Sequence, residues 1–336
     1  MWSDTLDMGI GDPLFMHEYW KLIEKLYEKQ TGKTTINITD GMTYDYNQTW
    51  EPLKNEIRKL HKLIGNAETD GYEIVLGHGI SQLISASVYA LTKQGAMNLY
   101  VDPPYWPRFE FLGKLGCDAA NEILLPTSKS MEIITIPNNP NGSMTDKKSG
   151  CDYAIHDLCY FWPQYCTVHK RKDDLMLFGL SKATGHAGTR LGWALAKDAA
   201  TAQHMRQFVM LSTSGVSTDA QRRAHDVISS ITKLNSHQML SCFETGKEEL
   251  AKRWRAIDLA MIKNKDFRIL NNSGIFAWCQ WNESVQGGQA FLKKYNIQGL
   301  EGATFGNNTE DFSKFRLNIG CDKHTFDEFI QRISDE

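Results

Sequence analysis

Short apolar runs alternate with amphipathic segments along the first two hundred residues of this chain. The apolar runs are four or five residues long, and between them apolar positions recur every three or four residues, as on one face of a helix. Strands are predicted at Glu73 to Leu76, Asn98 to Val101, Glu132 to Ile136, Tyr153 to Asp157, Leu175 to Gly179 and Gly192 to Ala196. Helices are predicted at about residues 14–30, Glu51 to Leu63, Ser81 to Leu91 and Arg108 to Lys114. This alternation favours an α/β fold with a mostly parallel central sheet flanked by helices.

The pattern changes after about Ala200, which predicts a second, smaller α+β domain. Long helical segments continue through roughly Ser241 to Ile262. Three apolar runs then indicate antiparallel strands at Phe267 to Leu270, Ile275 to Trp281 and Phe315 to Ile319. We expect a large domain over residues 46–225, and a small domain with the N-terminal segment from residues 1–45 together with 226–336.

The composition is that of an ordinary globular protein. The 336 residues are 23% charged and 41% hydrophobic, and the net charge of -3 indicates no nucleic-acid partner. The basic cluster His169–Lys172 is predicted to be a solvated loop. No apolar run approaches the ~20 residues that span a membrane, and the N-terminus lacks the features of a signal peptide. Seven cysteines without paired spacing favour reduced thiols, no metal site and a cytoplasmic location.

The candidate chemistry centres on the stretch Leu177–Trp193. An apolar run delivers Lys182 into a turn rich in glycine and hydroxyl residues, and Arg190 follows eight residues later. A partly desolvated lysine amine is a nucleophile toward an aldehyde, and Ser181 and Arg190 are residue types that hold a phosphate dianion. An aldehyde and a phosphate together indicate pyridoxal 5′-phosphate (PLP), although a Ser-Lys pair alone could also be an ordinary surface loop.

Three further motifs strengthen this interpretation. Ile136–Gly142 is a rigid turn that can aim the Asn139 amide at a ligand oxygen. Asp157 ends a predicted strand, where a buried carboxylate could keep a pyridine nitrogen protonated, and Tyr160 follows three residues later. Ile74–Leu83 predicts a strand, a glycine-containing turn and the start of a helix, which is a natural seat for phosphate.

Together these motifs resemble the fold-type I PLP enzymes of the aspartate aminotransferase superfamily, and within it the alliinase and tryptophan aminotransferase family. The matching segments run in family order from near residue 9 to Arg316, so the resemblance covers most of the chain. They include Gly11–Pro13, Tyr19–Trp20, Arg58–Asn66, Asp157–Tyr165, Ser181–His186 and Ser214–Ser217.

The resemblance implies a role for each candidate residue at the reactive end of the site. Lys182 would form the aldimine with the cofactor and later move the substrate α-proton. Asp157 would pair with the ring nitrogen, and Tyr160 and Asn139 would hold the phenolic oxygen. Arg316 would grip the substrate α-carboxylate through its two-pronged guanidinium.

The phosphate is expected at Ser181, Arg190 and the backbone amides of Gly79, Ile80 and Ser81. Either Tyr105 or Trp106 should stack on the ring face, with Trp106 slightly favoured, although both could be core aromatics.

Further residues are expected at or beside the site. Gly11 matches a glycine beside the substrate carboxylate. Tyr44, with Tyr46 as a rival, would reach the phosphate of a neighbouring subunit, which implies a homodimer with the active site at its interface. His156 and His186 are expected to help or to pack rather than to catalyse.

The leading functional hypothesis is an aminotransferase that moves the amino group of an L-α-amino acid, such as the aromatic tryptophan, to a 2-oxo acid. The alternative is an alliinase-like carbon–sulfur β-lyase acting on cysteine derivatives. Plant alliinases carry a Cys-rich segment ahead of the catalytic domain, and its absence from this sequence favours transamination. A non-catalytic PLP-fold module is disfavoured by the intact Lys182, Asp157, Tyr160 and Arg190. A dehydrogenase is disfavoured because Gly77-His-Gly79 lacks the dinucleotide-binding glycine pattern.

Overall fold

The structure is a computed structural model that describes most of the chain from Trp50 onward and scattered residues before it. The described residues are 5–9, 14–16, 18–20, 22–23, 26, 42, 44–45, 48, 50–96, 98–120, 129–146, 150–234, 242–283, 285–306 and 312–335. Much of the predicted helix at residues 14–30 lies outside them, as do Gly11 and Tyr46.

A six-stranded mixed sheet forms the centre of the fold. Its strands are β2 (Glu73–Gly77), β3 (Asn98–Val101), β4 (Ser130–Thr135), β5 (Tyr153–Asp157), β6 (Leu175–Gly179) and β7 (Gly192–Ala196). Their order is β2-β7-β6-β5-β4-β3. Strands β3 to β6 are mutually parallel, and only β7 runs antiparallel to its neighbours β6 and β2. The predicted mostly parallel sheet is therefore confirmed.

Helices cover both faces of this sheet. They are α1 (Glu51–Ile64), α2 (Gly79–Thr92), α3 (Phe109–Ala120), the short α4 (Leu180–Ala183), α5 (Ala199–Thr213) and α6 (Thr218–Leu234). Successive side chains of β2 point to opposite faces of the sheet. Ile74 and Leu76 belong to the apolar cluster on one face, and Val75 belongs to the cluster on the other. Strands buried on both faces, such as β6 and β7, need continuous apolar runs, and such runs made those strands predictable.

The C-terminal part contains a second, antiparallel sheet. Its strands β8 (Phe267–Ile269), β9 (Phe276–Trp281), β11 (Leu300–Glu301) and β12 (Lys314–Asn318) lie in the order β11-β12-β9-β8. The antiparallel pairing predicted for this part is confirmed. Helices α7 (Cys242–Met261), α8 (Gly287–Tyr295) and α9 (Lys323–Ser334) accompany it.

The N-terminal segment joins this C-terminal part. Strand β1 (Leu6–Asp7) pairs in parallel with β10 (Ile297–Gln298), and the Asn318 N–H donates to the Met8 carbonyl at 2.8 Å. These contacts agree with the grouping of residues 1–45 with 226–336, whose boundaries stay a prediction.

Helix α3 continues beyond the predicted end at Lys114 to Ala120, and its two glycines are packing positions. A Cβ atom on Gly116 would lie 2.5 Å from the Ser85 carbonyl oxygen of α2, and one on Gly113 would lie 2.2 Å from Leu99. Helices α2 and α3 therefore approach closely because Gly116 has no side chain, and Gly113 leaves room for Leu99 of β3.

The prediction of a solvated loop at His169–Lys172 was wrong for Arg171. Its side chain is buried and pairs with Asp173 at 2.6 Å and Asp146 at 3.0 Å. The buried His156 lies beside the two aspartates. One side-chain atom each of Asp146, His156 and Asp173, of the kind that can bind a metal ion, lies within 4.8 Å of the others. Arg171 forms ion pairs with both carboxylates, so these residues form an ion-pair network around its guanidinium.

All seven cysteines are free thiols. Among the residues described, no helix combines the length and apolar character needed to cross a membrane.

Candidate active site

A cavity of about 620 Å³ lies at the carboxyl ends of β4, β5 and β6, whose last residues Thr135, Asp157 and Gly179 line it. Ligands collect at such strand ends in open α/β sheets. Phe276 and Arg316 of the second sheet also line it. The predicted residues that the cavity brings together are Ile80, Ser81, Trp106, Asn139, Asp157, Tyr160, Ser181, Lys182, Arg190 and Arg316.

Lys182 lies on the short helix α4, directly after β6. The fully buried Leu180 anchors this turn in the core. The Lys182 carbonyl accepts hydrogen bonds from the Tyr165 hydroxyl at 2.9 Å and from Gln164 at 3.2 Å. Tyr165 and Gln164, which are not among the lining residues, therefore fix the backbone at Lys182, while Lys182 itself lines the cavity.

Asp157 is a carboxyl group with little access to water. It is 3% exposed, and its Oδ1 accepts a hydrogen bond from the Cys159 backbone N–H at 3.1 Å. Burial raises its pKa from 3.8 to about 6, since removal from water penalises the charged form. A cationic group beside Asp157 would restore the carboxylate, as a protonated ring nitrogen would do.

Arg316 is a buried cation that is held from two sides. Its Nη1 donates to Asn139 Oδ1 at 2.8 Å, and its Nη2 donates to the Gly9 carbonyl at 2.7 Å. The guanidinium lies 4.1 Å from the ring centre of Phe276. Burial lowers its pKa to about 10, which still leaves it charged near neutral pH. Among the described residues its buried Nε has no hydrogen-bond partner, so the group retains capacity for an anion.

Tyr160 lies close to this arginine. The residue is 6% exposed, and its ring packs edge-on against Phe276 at 5.4 Å. Burial raises the pKa of its hydroxyl well above the usual value, although the charge of Arg316 acts in the opposite direction. The hydroxyl is therefore a proton donor at neutral pH.

Arg190 and the start of α2 form the opposite end of the cavity. Nη1 of Arg190 donates to the Ala187 carbonyl at 3.0 Å and lies 3.5 Å from Ser181 Oγ. A Cβ on Gly79 would lie 2.6 Å from Arg190 Nη2, and Gly79 has a φ of +71°. The positive φ favours glycine at this position, and its missing side chain leaves room for the guanidinium at the N-terminus of α2 beside Ile80 and Ser81.

The structure separates the two candidate stacking aromatics. Trp106 lines the cavity, whereas Tyr105 is 7% exposed and faces a neighbouring cavity, where its hydroxyl donates to Glu110. Tyr105 is therefore not brought into the site, because its ring packs in the core beside Phe109.

Tyr44 also lies away from this cavity. It is 72% exposed and lines a separate cavity with residues 213–219. His156 and His186 are not among the residues described as lining the site. His186 packs edge-on against Trp20 at 4.7 Å, and burial lowers its pKa to about 4.

Several lining residues were not singled out in the sequence. They are Gly9, Pro107, Arg108, Thr135, Cys159, Gly179, Ala187, Phe276 and Leu300. Thr135 could have been found, because it is a polar residue at the end of a predicted parallel strand. Gly9 acts through its carbonyl and Arg108 is an ordinary exposed arginine, so neither carries a sequence signal.

Comparison with known proteins gives a consistent result. The model of the allinase family matches residues 6–336. Tryptophan aminotransferase-related protein 2 of rice (Oryza sativa subsp. japonica) is 32% identical over 99% of this chain and 73% of its own length. Alliin lyase of Allium cepa var. aggregatum is 28% identical over 97% of this chain and 80% of its own length.

Solved structures show the same fold at low sequence identity. An aspartate aminotransferase of Thermus thermophilus, a double mutant, superposes with a TM-score of 0.72 at 15% identity, covering 99% of this chain and 91% of its own. The aromatic aminotransferase from Pyrococcus horikoshii OT3 gives 0.74 at 17%, covering 99% and 96%. The predicted aminotransferase-like fold is confirmed.

Proposed function

The chain belongs to the alliinase family, and on that premise we propose that it is a PLP-dependent aminotransferase acting on an L-α-amino acid and a 2-oxo acid. The observation that carries this proposal is the convergence of four groups in one cavity: Lys182, the buried Asp157, Arg190 and the buried Arg316. These groups match the aldehyde, the ring nitrogen and the phosphate of the cofactor, and the carboxylate of the substrate.

The local geometry supports this fit to the cofactor. The close approach of Gly79 to Arg190 leaves backbone amides and a guanidinium as the donors at one end, which suits a phosphate dianion. The raised pKa of Asp157 gives it a strong tendency to pair with a cation inside the cavity. In the sequence, Lys182 directly follows Ser181 and lies between Asp157 and Arg190.

PLP when bound supplies an aldehyde that condenses with amines and a protonated ring that accepts electron density from the substrate α-carbon. Lys182 would bind at the aldehyde carbon, and its Nζ would take the α-proton once the substrate amine has displaced it. Asp157 would hold the proton on the ring nitrogen, and Tyr160 and Asn139 would donate hydrogen bonds to the phenolic oxygen. Trp106 would pack against the ring face.

Arg316 would orient the substrate through its carboxylate. Its bonds to Asn139 and to the Gly9 carbonyl fix the guanidinium before substrate arrives, which reduces the entropy lost on binding. The apolar lining residues Trp106, Phe276 and Leu300 favour a substrate with a large apolar side chain, such as an aromatic amino acid.

Carbon–sulfur β-elimination from a cysteine derivative is the second candidate. It is favoured by the alliin lyases among the relatives, and it would use the same removal of the α-proton by Lys182. The residues around the cofactor therefore do not separate the two reactions.

The test offers purified protein with PLP a panel of aromatic amino acids and S-alkylcysteine sulfoxides, with and without a 2-oxo acid. Transamination predicts new 2-oxo acid only when the acceptor is present. Release of pyruvate and ammonia without an acceptor would instead establish elimination. Absence of both reactions with a fully loaded enzyme would reject the proposal.

We also infer a homodimer whose partner subunit completes the site. Tyr44 is exposed on the surface of a separate cavity, as expected of a residue that serves a neighbouring subunit. The seven free thiols support a reducing compartment such as the cytoplasm.

A further inference from the structure

A second cavity, of about 290 Å³, adjoins the candidate active site next to the edge strand β3. We call it the β3 cavity, because residues 100–105 of β3 and the turn after it line it. Thr135, the last residue of β4, lines both cavities. The proposed reaction gives the β3 cavity no role.

Glu132 is a buried carboxyl group without a partner in the wall of this cavity. It lies on β4 opposite Tyr100 of β3, and it is 6% exposed. Within the described part of the chain, its Oε1 is shielded from water and has no hydrogen-bond partner, and no cation forms an ion pair with its carboxyl group. Removal of a carboxylate from water is costly unless a cation or a donor compensates for it.

The other polar groups of the β3 cavity do not supply this partner. None of its described lining residues is a lysine, arginine or histidine. Asp146 adds a carboxylate that already pairs with Arg171 at 3.0 Å. Four polar side chains of the neighbouring turn bond to one another or to the backbone: Asn138, Asn141, Ser143 and Thr145. The charge of Glu132 therefore favours a ligand that brings a cation.

The rest of the wall favours an organic cation over a metal ion. Ca²⁺ and Mg²⁺ are held by about six or more oxygen ligands at close range. About half of the residues that line the β3 cavity are instead apolar or aromatic, and they include Tyr100, Tyr105 and Phe109. Aromatic rings attract cations through their faces, and apolar walls suit a carbon skeleton.

We propose that the β3 cavity is a binding site for a small protonated amine, which donates an N–H to Glu132 and packs its apolar body against the aromatic wall. This site is separate from the catalytic cavity, and it forms no covalent bond with its ligand. Tyr105 and Asn138 line the β3 cavity, whereas their chain neighbours Trp106 and Asn139 line the catalytic one. A bound amine therefore contacts the two segments that carry Trp106 and Asn139.

The test measures ligand binding to the PLP-loaded protein by calorimetry. The probe is N,N-dimethylbenzylamine, a tertiary amine that is charged near neutral pH and cannot condense with the aldehyde of PLP. N,N-dimethylbenzamide has a similar shape and is neutral. The proteins are the wild type, Glu132→Gln, Glu132→Asp and the control Glu248→Gln, which alters an exposed carboxylate on α7 that is not among the lining residues.

The wild type should bind one amine per chain, at least about tenfold more tightly than the neutral amide. Glu132→Gln keeps the shape and removes the charge, so the affinity for the amine should fall about ten- to hundredfold, the usual effect of losing a hydrogen bond to a charged group. Its affinity for the amide should change little. Glu132→Asp should retain a preference for the amine, and Glu248→Gln should bind both ligands as the wild type does.

Equal affinity of the wild type for the two ligands would overturn the proposal. Retention of the visible absorbance of bound PLP shows that a variant is folded. If folded Glu132→Gln binds the amine as tightly as the wild type does, the amine binds elsewhere and the proposal is wrong. If Glu132→Gln does not fold, Glu132→Asp decides: weaker amine binding with the preference retained supports the site, and unchanged affinity rejects it.

Discussion

The buried carboxyl group of Asp157 should make the stability of the cofactor-free protein depend on pH, and Asp157→Asn should remove that dependence. The folded-state pKa of about 6 lies above the usual 3.8. Such a group adds stability that is fully present below the unfolded pKa and is lost as the pH rises through the folded pKa. The window is therefore about pH 4 to pH 6, within which the folded state binds the extra proton.

The size of the effect follows from the shift in pKa. A rise of about two units corresponds to about 3 kcal/mol of unfolding free energy. The wild type should lose about this amount relative to Asp157→Asn between pH 4 and pH 7. The amide of asparagine has nearly the same shape and does not titrate, so any other effect of the substitution is a constant offset.

The assay is chemical unfolding of both cofactor-free proteins at several pH values and one protein concentration. His61 and His186, whose pKa values burial lowers to about 4, titrate in the same range with the opposite sign. They occur in both proteins, so they cancel in the difference. If the difference in unfolding free energy between the two proteins stays constant from pH 4 to pH 7, the claim that burial raises the pKa of Asp157 is refuted.

Three further predictions concern the other ends of the site. Arg316→Lys keeps the charge but loses the two-pronged geometry, so the substrate KM should rise about tenfold or more while PLP affinity changes little; equal losses would indicate a folding defect. Gly79→Ala places a Cβ 2.6 Å from Arg190 Nη2 at a φ of +71°, so PLP affinity should fall at least tenfold in a fluorescence titration, and unchanged affinity would argue against a phosphate seat there. Mixing Lys182→Ala with Tyr44→Phe should restore activity by forming one intact site per heterodimer, whereas a fully active monomer in sedimentation would rule out the shared site.

Most of the sheet was predictable because central strands such as β6 and β7 are buried on both faces, whereas the edge strand β3 has no buried residue. Strands such as Tyr153–Asp157 and Leu175–Gly179 stand out as apolar runs, and their bounds agree with the prediction. The antiparallel insertion of β7 was not predictable, because pairing direction depends on contacts between distant segments. Helix α3 was predicted only to Lys114, because the sequence does not show that Gly116, beyond that point, packs closely against α2.

The site was predictable where side-chain chemistry and strand ends coincide. Asp157 lies at the end of a predicted strand, Lys182 and Asn139 lie just past the ends of two others, and the structure brings all three into one cavity. The sequence analysis missed Gly9, which acts through its backbone carbonyl. It also missed Arg108, because an exposed arginine looks the same in a sequence wherever it lies on the surface. The choice between Tyr105 and Trp106 depended on side-chain direction, which neighbouring positions in a sequence do not reveal.

The central claim is that Lys182 carries the cofactor, and borohydride reduction followed by peptide mass mapping tests it most directly. Protein loaded with PLP is reduced and digested, and the lysine that bears the added cofactor mass is identified. We expect one modified site at Lys182, with the visible absorbance of the loaded protein lost on reduction and absent from Lys182→Ala. A reduced adduct on a different lysine, or normal turnover by Lys182→Ala, would contradict it.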